Sequence, residues 1–404
     1  MVLGPYLKTL YSLIPLLLGL FGYLLDIVSL RPLALIYLSY CIYCQIDSKT
    51  TIICKNSPKT QAIINNCSKS FHHNFRPLFF FPMPIFQTSL APFDFNDFWG
   101  TKSTLTSMPQ RVPLADTVLD WVVSSKEIML DFAFDTKSKL LIILPGLTGS
   151  VKDGYIKEIC YQALNKNYRP VVYNTRWLTT PVALPKEGYV DPLKDFIITM
   201  EFLKKNYSNY KMFAIGTSHG ANLITKYLGT VGNETDLVGA VSVGNYFDLY
   251  ASSRKCGGFW SYILAKILQM ALQKQINEFR SLPKDLACLE VDKALSKKII
   301  TTHEFDELFS RRLLGYDSVE DYYRKFGCKE VLENVKRPLL CMQSLDDPIC
   351  HYSEIPTEKC QINENLVFYI SKKGGHCAWI QGIFNPSIFF PKPALDFLEA
   401  LNKE

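Results

Sequence analysis

The chain of 404 residues is 48% hydrophobic, and its 44 Lys and Arg outweigh 38 Asp and Glu to give a formal charge of +6. This composition excludes intrinsic disorder and allows one large domain with an appendage rather than two full domains. The basic residues are spread along the chain and mixed with acidic ones, so no stripe forms a nucleic-acid footprint and no nucleic-acid partner is expected.

From Leu10 to Leu25 the chain is almost wholly apolar, and from Leu33 to Ile46 it is apolar again, with Asp26, Ser29, Arg31 and Pro32 between the two parts. A membrane-spanning helix takes about 20 apolar residues. A signal peptide would need an earlier basic region, a shorter apolar run and a small-residue cleavage site, none of which stands out. Residues 1–47 therefore read as a retained membrane anchor, in an endomembrane or the plasma membrane. Asp26 and Arg31 would each cost about 2.5–3.5 kcal/mol at the bilayer centre and so belong near an interface. One span followed by an interfacial helix is preferred over a hairpin of two short spans, and the flanking lysines do not fix the orientation. Cys41 and Cys44 form the one close pair among 12 cysteines, without a second pair or a histidine at ligand spacing, so no metal site is expected.

The polar stretch 48–76 reads as a linker, and residues 77–404 as the folded body. Pro77 to Pro84 is too proline-rich for a helix or central strand and suggests an apolar collar. Met129–Phe134 alternates like a strand, while Leu140–Leu144 and Pro170–Asn174 read as buried strands. Helical spacing occupies Asp153–Asn165 and Val190–Lys205. Buried strands return at Met212–Ile215, Leu237–Val243, Pro338–Met342 and Leu366–Ile370. Residues 250–328 break the rhythm as a helical insertion. Alternating strands and helices argue for an α/β fold, a mostly parallel sheet with helices on both faces.

One of these strands runs directly into Gly216-Thr217-Ser218-His219-Gly220, and a helical stretch follows. A G-x-S-x-G sequence between strand and helix predicts a sharp turn that lifts a serine hydroxyl above the sheet edge. Ser218 is thus the candidate nucleophile, and it needs a base with an acid to orient it. His376, after Gly374 and Gly375 in the loop beyond Leu366–Ile370, is the best of the six histidines. His219 should chiefly lend a backbone N–H. His72 and His73 read as solvated residues of the linker, and His303 and His351 as hydrogen-bonding or surface residues. The acid should leave the strand ending at Met342, where Asp346 and Asp347 precede Pro348. Asp347 is chosen because the residue before proline is held extended, and Asp346 remains the alternative. The loop Pro145-Gly146-Leu147-Thr148-Gly149 supplies the other half of an oxyanion hole, with N–H donors at Leu147 and His219.

These residues resemble the membrane-anchored alpha/beta-hydrolase-domain lipases. The resemblance runs from Phe79 to the C-terminus through Pro145-Gly146-Leu147, Lys226-Tyr227-Leu228-Gly229, Leu314-Gly315-Tyr316, Asp346-Asp347-Pro348 and Gly374-Gly375-His376. It implies the alpha/beta-hydrolase fold, the same roles for Ser218, Asp347 and His376, and hydrolysis of acylglycerols, acetyl esters or phospholipid acyl chains. The chain departs from the family at His219, where an apolar residue is usual. It departs again at Ile85, where relatives carry the histidine of an H-x-x-x-x-D acyltransferase-like motif.

The expected function is a membrane-bound serine ester hydrolase acting on a lipid ester, with neither metal nor organic cofactor. Two alternatives stand beside it. One transfers the acyl group to an alcohol with the same triad, and the other is a lipid or hormone binder whose triad is idle.

Overall fold

The computed structural model describes residues 31–69, 71–79, 82–90, 92, 105–112, 117–124, 139–178, 190–280, 290–298, 300–382 and 386–403. Nine strands join in one sheet: β1 (Thr50–Cys54), β2 (Leu105–Val112), β3 (Thr117–Ser124), β4 (Lys139–Leu144), β5 (Tyr168–Asn174), β6 (Lys211–Thr217), β7 (Leu237–Val243), β8 (Leu339–Ser344) and β9 (Leu366–Ser371). Their spatial order is β1-β9-β8-β7-β6-β4-β5-β3-β2. Strands β4 to β9 are parallel, whereas β1 runs against β9, β3 against β5 and β2 against β3.

The central strands are apolar without alternation because both faces are covered. Leu141 and Ile143 of β4, Phe213 and Ile215 of β6, and Val241 and Val243 of β7 pack on one face with Ile156 and Ile159 of the helix Gly154–Leu164. Leu140, Ile142 and Leu144 of β4, with Met212 and Ala214 of β6, pack on the other against Phe196, Ile224 and Leu228. The period of two along each strand thus divides its side chains between two cores.

This arrangement places the site. From β4 the chain moves outward to β5, then crosses back to β6 and continues in the opposite direction to β7. The helices following β4 and β6, Gly154–Leu164 and His219–Val231, therefore lie on opposite faces, and a crevice opens at the carboxyl ends of those two strands. Over that end sits the segment after β7, whose helices include Leu249–Lys255, Gly258–Lys274 and Val319–Phe326. It has its own core, in which Phe279, Phe305 and Phe309 meet Trp177 and Leu268.

Several expectations need correction. The stretch 48–76 is no bare linker: β1 pairs residue for residue with β9, and the helix Pro58–Asn66 buries Ile63 and Ile64 in the first core. The strand's shortness hid this, since its apolar residues are only three, Ile52 and Cys54 half-covered on one face and Ile53 on the other. At the last residue of the proline-rich collar a short helix begins, Pro84–Leu90, that buries Gln87 and Thr88. The apolar run Leu10–Leu25 and the strand expected at Met129–Phe134 lie outside the described residues. The helix Arg31–Ile46 has 16 residues, and no helix among the described residues is long and apolar enough to cross a membrane. It turns Cys41 and Cys44 inward and leaves Leu35, Ile36, Ile42 and Ile46 exposed.

Arg176, just beyond β5, donates through Nε to Asp195 Oδ2 at 2.8 Å and through a second guanidinium nitrogen to Oδ1, both side chains being nearly fully buried. The pair ties β5 to the helix Pro192–Asn206. Removing one partner from a buried ion pair strands the other charge, at a cost of about 3–5 kcal/mol. Asp195→Ala should therefore lower the urea unfolding midpoint by the equivalent of about 3 kcal/mol or more. An unchanged midpoint would show that the pair contributes nothing.

Candidate active site

Ser218 stands between β6 and the helix His219–Val231 with φ 51° and ψ −112°, a left-handed backbone that a residue bearing a Cβ rarely adopts. Its N–H donates to Val243 O at 2.8 Å, and its carbonyl accepts from Asn222 N–H at 3.0 Å. The flanking glycines are required by contact. A Cβ on Gly216 would lie 2.3 Å from Gly220 O, and one on Gly220 would lie 2.1 Å from Leu144 O. Only bare backbone lets the turn fold this close to the end of β4.

His376 follows Gly374 and Gly375, both at positive φ. Its Nε2 lies 2.8 Å from Ser218 Oγ, and its Nδ1 lies 2.8 Å from Asp347 Oδ2. Asp347 is oriented in turn, because its Oδ1 accepts from the N–H groups of Ile349 and Cys350, each at 2.8 Å. Asp346 points elsewhere. Its Oδ1 accepts from Gly375 N–H at 3.0 Å and from the Ser344 hydroxyl, bracing the loop that carries the histidine.

Leu147 and His219 both line the cavity beside Ser218. His219 opens its helix, so its N–H has no acceptor within the helix. The loop bearing Leu147 is closed by Gly149 N–H donating to Gly146 O at 2.9 Å, and Gly146 N–H donates to the Tyr155 hydroxyl at 3.1 Å.

No family model matches the chain. Among curated proteins it is similar to the embryogenesis-associated protein EMB8 of Picea glauca, 30% identical over 298 residues, which are 70% of this chain and 64% of that protein. It is also similar to phospholipase ABHD3 of Homo sapiens, at 27% identity over 65% of this chain and 64% of that one. The monoacylglycerol lipase of Saccharomyces cerevisiae is 28% identical over 67% of this chain and 61% of its own. The chain is a relative of the alpha/beta-hydrolase lipases. It spans a little under two thirds of the length of these curated relatives. Among solved structures, an acylaminoacyl peptidase of Pyrococcus horikoshii overlays with a TM-score of 0.48 at 15% identity, covering 76% of this chain and 43% of that one, too loose a likeness to carry weight.

In this relative of the lipases, four polar side chains around the site escaped the sequence reading. Thr88 Oγ1 accepts from His376 N–H at 2.9 Å, and Gln87 Oε1 accepts from Ile380 N–H at 2.7 Å, so the collar helix holds the histidine loop at both ends. Cys350 Sγ lies 3.7 Å from His376 Nδ1, and Tyr155 braces the loop that bears Leu147 as described. Nothing in their local sequence marks them, since each acts on a partner distant in the chain.

The His219 ring stacks on Phe326 with centroids 5.6 Å apart, and its Nδ1 lies 3.2 Å from the Tyr246 hydroxyl. Burial pulls its pKa down to about 4, so the ring is neutral at physiological pH. His376 behaves oppositely. Burial by itself disfavours the imidazolium, but the Asp347 carboxylate outweighs it and holds the basicity well above the ordinary histidine value.

As the proposed general base, His376 would work in its neutral form, and lowering the pH protonates it. Cleavage of p-nitrophenyl butyrate should therefore rise with pH along a limb centred above about 6.5, the unperturbed histidine value. Asp347→Asn should shift that limb downward and cut kcat by about 10⁴, whereas His219→Phe should leave its position unchanged. A limb that follows His219 instead would reassign the base.

Proposed function

We propose that this chain is a membrane-anchored serine hydrolase that cleaves carboxylic esters of lipids. The reading is carried by one observation: a hydroxyl, an imidazole and a carboxylate follow one another at 2.8 Å and 2.8 Å, and the hydroxyl lines a mainly apolar cavity. Leu178, Leu264, Leu268 and Leu314 line that cavity, a surface suited to an acyl chain. The names of the relatives, a phospholipase and a monoacylglycerol lipase, point to the same bond class.

In this mechanism Ser218 Oγ attacks the ester carbonyl carbon while His376 Nε2 takes the hydroxyl proton. Negative charge gathers on the former carbonyl oxygen, where the N–H groups of Leu147 and His219 receive it; one such donor contributes about 2.7–4 kcal/mol to the transition state. The carbon–oxygen bond to the alcohol breaks, and His376 passes its proton to the leaving alkoxide. Water then enters, gives a proton to His376, attacks the acyl carbon and releases the fatty acid, restoring Ser218. Asp347 holds the imidazole and balances its charge throughout.

Anchoring rests on the apolar run Leu10–Leu25 and on the exposed apolar side of the helix Arg31–Ile46, which together would bring the cavity near a lipid surface. A fatty-acid assay with monoacylglycerols, short-chain esters and phosphatidylcholines tests the reading. Wild type should release acid from at least one class, and Ser218→Ala should lower the rate by about a thousandfold or more. Equal release by both proteins would refute the mechanism.

A further inference from the structure

The cavity beside Ser218 is not uniformly apolar. Ring contacts lead away from the nucleophile without a break: His219 stacks on Phe326 at 5.6 Å, Phe326 meets Tyr322 at 5.1 Å, and Tyr322 meets Tyr323 at 5.3 Å. The Tyr323 hydroxyl then donates to Asp306 Oδ2 at 2.7 Å. All of these side chains, and Tyr246 beside them, line the cavity that Ser218 faces.

Asp306 is unusual in two independent ways. It is 7% exposed, and no lysine or arginine among the described residues forms an ion pair with it. His303, which acts on it from a distance, is exposed and faces Glu320 at 3.5 Å. Burial pushes the Asp306 pKa up to about 6, against the opposing Ser310 and Tyr323 hydroxyls, the direction expected of a carboxylate that lacks a cation. Asp306 also opens a π-helical turn, Asp306–Ser310, set between the helical segments Thr302–Phe305 and Arg311–Leu313. Such turns are rare, and they concentrate where a helix must aim side chains at a ligand. Here the turn sends both Asp306 and Ser310 to the cavity wall.

A buried carboxylate that lacks a cation is costly unless a ligand supplies one. The aromatic rings that share this cavity wall suit a weakly hydrated cation, of which quaternary ammonium is the typical case. Glycerol hydroxyls would satisfy the oxygens but leave the charge uncompensated. We propose that this wall of the cavity, Asp306 with Tyr246, Tyr322, Tyr323 and Phe326, receives a quaternary ammonium group on the alcohol side of the ester. The assignment rests on the ester-hydrolase reading above and names its substrate class.

The test compares octanoylcholine with 3,3-dimethylbutyl octanoate, its uncharged carbon isostere, using the full chain. Wild type should favour the choline ester in kcat/KM by about tenfold or more. Asp306→Asn should bring that ratio close to one, and Asp306→Glu should restore part of it. Equal use of the two esters by wild type would overturn the proposal while leaving the hydrolase reading intact, and it needs no variant to fold. A preference that survives in Asp306→Asn would overturn it as well. Failure to cleave either ester while monoacylglycerols, short-chain esters or phosphatidylcholines are hydrolysed would overturn it too, whereas release of acid from none of these would remove the hydrolase reading on which it stands.

Discussion

The site depends on one close crossing, where the turn after β6 passes over the carboxyl end of β4. Gly220 sits against the Leu144 carbonyl with no room for a methyl group, and this contact holds Ser218 in a left-handed backbone. A non-glycine residue in that region costs of the order of 1–3 kcal/mol, which the surrounding cores must offset. They do so because β4 and β6 are buried on both faces. The same crossing brings the Leu147 loop beside the serine, so the proposed nucleophile and the proposed oxyanion donors share a single backbone contact.

The other two members of the chain of hydrogen bonds are held less directly. His376 and Asp347 lie on loops after β9 and β8, and each loop is braced by a group that takes no part in proton transfer: Thr88 and Asp346 for the histidine, two backbone N–H groups for the aspartate. Small and polar contacts at the edge of the sheet thus control distances that the core alone does not set.

Much of this was legible in the amino-acid order. The unbroken apolar runs of β4, β5, β6, β7, β8 and β9 announce a sheet covered on both faces, and G-x-S-x-G between strand and helix marks the turn. The proline after Asp347 favoured it over Asp346 without excluding the latter, and Asp347 is the one that lies 2.8 Å from His376. The edges were not legible. β1 is short and has no fully buried residue, and β2 carries Pro109, which an edge strand tolerates but a pattern search rejects. Thr88 and the Asp306 turn escaped for another reason: their meaning lies in what the fold brings beside them. The sequence departure at His219 has a physical setting as well, since its neutral ring begins the aromatic wall.

The most direct test of the central claim is covalent trapping of the nucleophile. Full-length protein treated with a fluorophosphonate and mapped by tandem mass spectrometry should carry one stoichiometric adduct, on Ser218, and His376→Ala should slow its formation by orders of magnitude. An adduct on another residue, or none on folded protein, would contradict the account.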